Sequence, residues 1–203
     1  MTEDMEKDTE LGAGELAIWQ KERRDKLYAA LMKKTAVENR QKHGFPPLYD
    51  KASDTLILGS FPSVRSRDQA FFYGHPQNRF WKIIAAVYGE PVPVHDDISA
   101  KKKLILKHHL ALYDVIEECD ITGSSDSSIK NVIPADINGI IKKSSVKRIF
   151  VNGKTAEKYY IKYLESITGI KAVCLPSSSP ANAAWSLDKL TEAWKKELTR
   201  EGA

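Results

Sequence analysis

The chain has 203 residues, of which 42% are hydrophobic and 29% charged, and its formal net charge is +4. That is the composition of a folded domain with room for a sizeable core, and it excludes a chain that is disordered over most of its length. No run approaches the ~20 apolar residues that span a bilayer, and residues 1–10 are acidic rather than signal-like. The two cysteines, Cys119 and Cys174, fall in no zinc-type spacing. The resulting expectation is a cytoplasmic monomer with reduced thiols, no metal, no cofactor and no membrane contact.

Residues 15–42 read as one helix, with Leu16, Trp19, Leu27, Ala30 and Leu31 recurring at partial helical spacing among many lysines and arginines. His43-Gly44-Phe45-Pro46-Pro47 ends it, since a glycine followed by two prolines cannot continue a helix. Residues 1–42 are therefore expected to form a helical extension and residues 43–203 the main domain. From Asp54 onward, short apolar runs alternate with amphipathic stretches. Thr55-Leu56-Ile57-Leu58 precedes a helix carrying Phe80, Ile84 and Val87, and Ala111-Leu112-Tyr113-Asp114-Val115 follows a helix rich in lysine. Arg148-Ile149-Phe150-Val151 follows a helix around Ile137, Ile140 and Ile141. Lys171-Ala172-Val173-Cys174-Leu175 comes after a helix whose apolar face is Ala156, Tyr159, Tyr160, Tyr163 and Ile167. A helix with Leu187, Leu190, Trp194 and Leu198 closes the chain.

Four apolar strands separated by helices predict an α/β fold, a three-layer α/β/α sandwich around a central, mainly parallel four-stranded sheet. Ligands of such sheets lie beyond the carboxyl ends of the strands. The residues to read for chemistry are Gly59-Ser60-Phe61-Pro62, Asp114, Asn152-Gly153-Lys154 and the segment 176–182. Lys101, Lys102 and Lys103, with the cluster Lys142, Lys143, Lys147 and Arg148, read equally well as solvated helix faces or as phosphate contacts.

Two segments are more specific. Leu58-Gly59-Ser60-Phe61-Pro62-Ser63-Val64, followed by Phe72-Tyr73-Gly74-His75-Pro76-Gln77-Asn78-Arg79-Phe80-Trp81, resembles the opening motif of the uracil-DNA glycosylase superfamily in its mismatch-specific and hypoxanthine branches. Leu175-Pro176-Ser177-Ser178-Ser179-Pro180-Ala181-Asn182 resembles the closing loop that those enzymes press against DNA beside the extruded nucleotide. With Ser127-Ser128-Ile129-Lys130-Asn131-Val132 and Val151-Asn152-Gly153-Lys154 between them, the likeness covers about residues 43–198. Phe61 stands where uracil-removing members commonly carry Asp or Asn, and Ser177 where they often carry His. Both departures resemble the hypoxanthine (deoxyinosine) DNA glycosylase family.

The resemblance implies a DNA glycosylase that acts on double- or single-stranded DNA containing deaminated bases, prefers hypoxanthine and leaves an abasic site. Asn78 takes the catalytic position and is expected to orient a water, its amide oxygen accepting from the water and its nitrogen donating elsewhere. A helix cap is its plainer reading. Gly59, Ser60, Phe61, Phe72 and Asp114 are expected to hold the flipped base, Phe61 or Phe72 by stacking and Asp114 by accepting from N1–H of hypoxanthine. His75, Ser177, Ser178, Ser179, Ala181 and Asn182 are expected to touch DNA, helped by a helix start at Ala183 and Ala184. Thr155 is expected to cap the helix after Gly153. Two other functions stay open on the sequence: a uracil or G/T(U)-mismatch glycosylase, and a non-catalytic nucleotide- or lesion-binding module.

Overall fold

The computed structural model describes residue 18, residues 21–27 and residues 39–199, and the chain divides into two compact units, Met1–Arg40 and Gln41–Ala203. In the first unit residues 21–27 are helical and exposed. The rest of the helix expected over residues 15–42 lies outside the described residues, except at its end. There Arg40–Lys42 is a strand, β1, so the helix stops before residue 40. His43 N–H donates to the Glu117 carbonyl (2.8 Å), which carries the extended backbone past the expected boundary.

The four expected strands are present as β2 (Thr55–Gly59), β3 (Leu110–Asp114), β6 (Arg148–Asn152) and β7 (Val173–Leu175). They form one sheet in the order β3-β2-β6-β7, every pair parallel. Every residue of β2 and β3 is buried, which is why both read as unbroken apolar runs. Their register sets Gly59 opposite Asp114, and Asn152 opposite Leu175.

A second sheet went unread in the sequence. After β3 the chain passes through Val115 straight into β4 (Ile116–Asp120), which pairs antiparallel with β5 (Lys130–Pro134) in a three-stranded sheet ordered β1-β4-β5. Helices α1 (Val64–Asp68), α2 (Phe80–Tyr88), α3 (Ile98–Lys107), α4 (Ile137–Lys142), α5 (Lys154–Tyr163), α6 (Glu165–Thr168) and α7 (Leu187–Leu198) complete the described fold. The tyrosine-rich helix is shorter than expected: the chain breaks at Leu164 between α5 and α6, and Ile167, assigned to its apolar face, is 59% exposed. Gly153, not Thr155, is the cap residue of α5.

No described helix is long and apolar enough to cross a membrane. The core joins the four-stranded sheet to Phe80, Ile83 and Ile84 of α2 and to Leu190, Trp194 and Leu198 of α7. Burying each of these large apolar side chains contributes about 1.5–3 kcal/mol. This packing fixes the two helices that flank the carboxyl edge of the sheet.

Candidate functional site

A cavity of about 600 Å³ opens where β2, β3 and β6 end, within the usual size of small-molecule pockets. Gly59, Ser60 and Phe61 line it from the end of β2, Asp114 from β3, Asn152 from β6, and residues 177–181 from the loop after β7. Phe72, Tyr73, His75 and Asn78 form another side. All the expected base-binding residues therefore face one space. So do His75, Ser177, Ser178, Ser179, Ala181 and Asn78, whereas Asn182 lies outside the lining.

Asn78 is fixed in one orientation. Its Oδ1 accepts from the backbone N–H of Phe80 (3.0 Å), at the start of α2, and from Ser178 Oγ (3.0 Å). A backbone N–H can only donate, so the oxygen must face it and the amide cannot be flipped. Both lone pairs of the oxygen are taken. The expected role of accepting from a water therefore has no free acceptor, and Nδ2, which makes no hydrogen bond among the described residues, is the end that remains for a ligand. The helix-cap reading and the site reading are both realised, by opposite ends of one amide.

Ser178, expected among the DNA contacts, is completely buried and turns its side chain to Asn78 and Asn152. Its hydroxyl donates to Asn78, its Oγ accepts from Asn152 Nδ2 (2.8 Å), and its N–H donates to Asn152 Oδ1 (2.9 Å). Asn152 thus braces Ser178, and Ser178 braces Asn78. Ser177, Ser179 and Ala181 remain at the surface of the loop or partly so. Asn182 turns its Nδ2 onto the Ser177 carbonyl (2.9 Å). The helix start expected at Ala183 and Ala184 is a turn instead. The helix α7 begins at Leu187, where Ser186 caps it by accepting from Lys189 N–H.

Arg79, unassigned in the sequence, holds this loop in place. Its backbone N–H and its Nε both donate to the Ser178 carbonyl (3.1 and 3.3 Å), and its two terminal nitrogens donate to the carbonyls of Ser179, Trp185 and Asn182. One guanidinium thereby joins the opening motif to four carbonyls about a hundred residues away. Its position beside Asn78 was the available signal, since a cation at a helix start is ill placed for the helix and needs another partner. Trp194 Nε1 ties α7 to the same loop through the Pro176 carbonyl (2.9 Å).

On the sheet side the walls are aromatic. Phe61 and Phe72 are 7% and 2% exposed, so each is at once core and pocket wall. Tyr73 sits at φ +52°, a left-handed conformation that tyrosine rarely adopts, and stacks on Phe80 with ring centroids 3.8 Å apart. Its buried hydroxyl makes no well-formed hydrogen bond among the described residues, and burial, reinforced by the Asp114 charge and only partly offset by nearby Asn152, pushes it well above the ordinary phenol range.

Gly59 gives Asp114 its room: a Cβ there would lie 2.1 Å from Asp114 Oδ1. Asp114 Oδ2 is 2.8 Å from His43 Nε2, and His43 is completely buried. Ser60 Oγ donates to Asp126 (3.2 Å), a second carboxylate of the cavity that the sequence reading missed although the adjacent serines were noted.

A family model for the uracil DNA glycosylase superfamily matches residues 46–201. A hypoxanthine DNA glycosylase of Methanosarcina acetivorans is 35% identical over 154 residues, covering 74% of this chain and 94% of the relative. Another from Methanosarcina barkeri is 31% identical over 166 residues, covering 79% and 99%. The solution NMR structure of a candidate uracil DNA glycosylase from Methanosarcina acetivorans superposes with a TM-score of 0.64 at 33% identity, covering 77% of this chain and 96% of that one.

Proposed function

Since this chain belongs to the uracil DNA glycosylase superfamily, and within it to the hypoxanthine DNA glycosylase family, we propose that it hydrolyses the N-glycosidic bond of deoxyinosine in DNA and leaves an abasic site. The observation that carries this reading is the fixed amide of Asn78 in the cavity wall, whose oxygen is occupied and whose N–H is the end left for a ligand. Breaking the base–sugar bond leaves negative charge on the purine and positive charge on the deoxyribose. Catalysis needs donors that bind the departing base more strongly than the bound one. Hypoxanthine offers acceptors at O6, N3 and N7, and a pre-oriented N–H strengthens its hydrogen bond to any of them as the base gains charge.

The pocket walls suit a flipped purine. Phe61 and Phe72 offer apolar faces, and Asp114 Oδ1 accepts from N1–H, which adenine and cytosine lack at the corresponding ring nitrogen. Ser177, Ser179 and Ala181 of the loop 177–181, together with His75, line the cavity and would meet the strand beside the extruded nucleotide.

Single-turnover release of hypoxanthine from an oligonucleotide duplex, at saturating enzyme, tests the assignment. Asn78→Ala is expected to slow release by at least about tenfold, as loss of one transition-state donor does. Asn78→Asp replaces the donor with a negatively charged oxygen and is expected to be at least as slow. Retention of activity by Asn78→Asp would mean that the position accepts from water instead. Faster release of uracil than of hypoxanthine by the unaltered protein would move it to another branch of the superfamily.

A further inference from the structure

His43 lies where the sequence marks only the end of a linker, yet both of its ring nitrogens are engaged. Nδ1 is 2.9 Å from the Phe45 carbonyl and Nε2 is 2.8 Å from Asp114 Oδ2. A carbonyl oxygen can only accept, so Nδ1 carries a proton. The remaining contact, between Nε2 and Oδ2, then needs a single proton on one side or the other. Whichever atom holds it, the pair has no net charge, and Oδ1 is left as an acceptor. Among the described residues none donates to Oδ1, which lies against Gly59, and Asp114 lines the cavity.

The pair is walled off from water. His43 is enclosed by Phe45 and Tyr113, with ring centroids 4.3 and 4.4 Å away, and by Phe72 and Phe61 at 6.0 and 6.4 Å. Burial holds the neighbouring hydroxyls of Tyr73 and Tyr113 in their neutral form, so neither adds charge beside the pair. An unpaired carboxylate at the end of β3 would oppose the reaction: a purine leaving as an anion would meet a full negative charge in a medium that screens it poorly.

We propose that His43 is a positioning residue of the base site, sharing one proton with Asp114 so that the purine meets a fixed acceptor at Oδ1 rather than a bare charge. The inference rests on the functional reading above for what the pocket binds.

The pairing makes a pattern of substitutions distinctive. In Asp114→Asn the amide nitrogen donates to the Nε2 of a neutral His43 and its oxygen still faces the cavity, so hypoxanthine release is expected to fall, but by clearly less than in Asp114→Ala. His43→Gln leaves a charged Asp114 with only a neutral donor and is expected to lower the single-turnover rate by at least about tenfold. His43→Gln with Asp114→Asn pairs two neutral amides and is expected to recover most of that loss. A residue needed only for packing would show no such rescue. A double variant no faster than His43→Gln, or an Asp114→Asn as slow as Asp114→Ala, overturns the proposal.

Nitrogen-15 NMR of the full-length protein tests the same point without substrate and without a variant that must fold. The expected result is a proton on Nδ1 of His43 with Nε2 protonated or hydrogen-bonded to a protonated Asp114. A ring protonated at Nε2 alone overturns the pairing. If the NMR result stands and the unaltered protein releases no hypoxanthine, the functional reading has failed and the His43–Asp114 pair has not.

Discussion

At the scale of single residues the site depends on groups that are used up internally. Asn78 gives its oxygen to the start of α2 and to Ser178, and its remaining N–H is directional because of that expenditure. Gly59 works by what it lacks. Any side chain there would collide with Asp114 Oδ1, and Asp114 cannot move aside while His43 holds Oδ2. Gly59→Ala is therefore expected to abolish most hypoxanthine release. It should also lower stability by about 1–3 kcal/mol through overpacking, measured by urea denaturation. Full activity in that variant would mean that Asp114 has freedom the pairing denies it. Phe61 and Phe72 show why the sequence could name a pocket residue but not separate it from the core: both are buried, and the same face that packs against His43 bounds the cavity.

At the scale of elements, the opening motif and the closing loop are one structure joined by Arg79. Removing its guanidinium in Arg79→Ala strands the carbonyls of Ser179, Asn182 and Trp185 without their charged donor. A charged hydrogen bond typically contributes about 1.5–3 kcal/mol, so a stability loss near 2 kcal/mol is expected in urea denaturation, with weaker DNA binding in fluorescence anisotropy. Arg79→Lys, which cannot reach several carbonyls at once, is expected to recover little of either. Unchanged DNA affinity in both variants would detach the loop from DNA contact.

The four parallel strands were legible because each is buried on both faces and so reads as a short unbroken apolar run. The strands β4 and β5 were not. Their burial alternates between buried and half-exposed along Ile116-Glu117-Glu118-Cys119-Asp120, and Lys130-Asn131-Val132-Ile133-Pro134 is mostly exposed, so neither stands out from loop. The break at Leu164 escaped notice for the opposite reason. Ile167 continued the helical spacing of the tyrosines, and only the packing revealed that the spacing no longer faced the core. His43 was visible as a letter and invisible as a site, because its partner is seventy-one residues away.

At the scale of the whole molecule, the cavity is assembled from distant parts of the chain, from Gly59 at the end of β2 to Ala181 after β7, with His43 holding Asp114 from outside the lining. The pocket walls at Gly59 and Asp114 are set by adjacent strands of one sheet, and β2 and β3 are joined by a helical crossover. The Arg79 clamp is different in kind, since its acceptors lie 99 to 106 residues downstream. Closing so long a segment comes at an entropy cost that local contacts do not repay, and such contacts tend to form late in folding. A ribosome that has made β2, β3 and α2 has thus made most of the site without the loop that orients Asn78 through Ser178. On refolding from denaturant, recovery of hypoxanthine release is expected to trail the burial of the tryptophans in the core, and simultaneous recovery of the two signals would show that the loop docks with the core. The emerging chain is accordingly expected to act on DNA only once the loop held by Arg79 has docked.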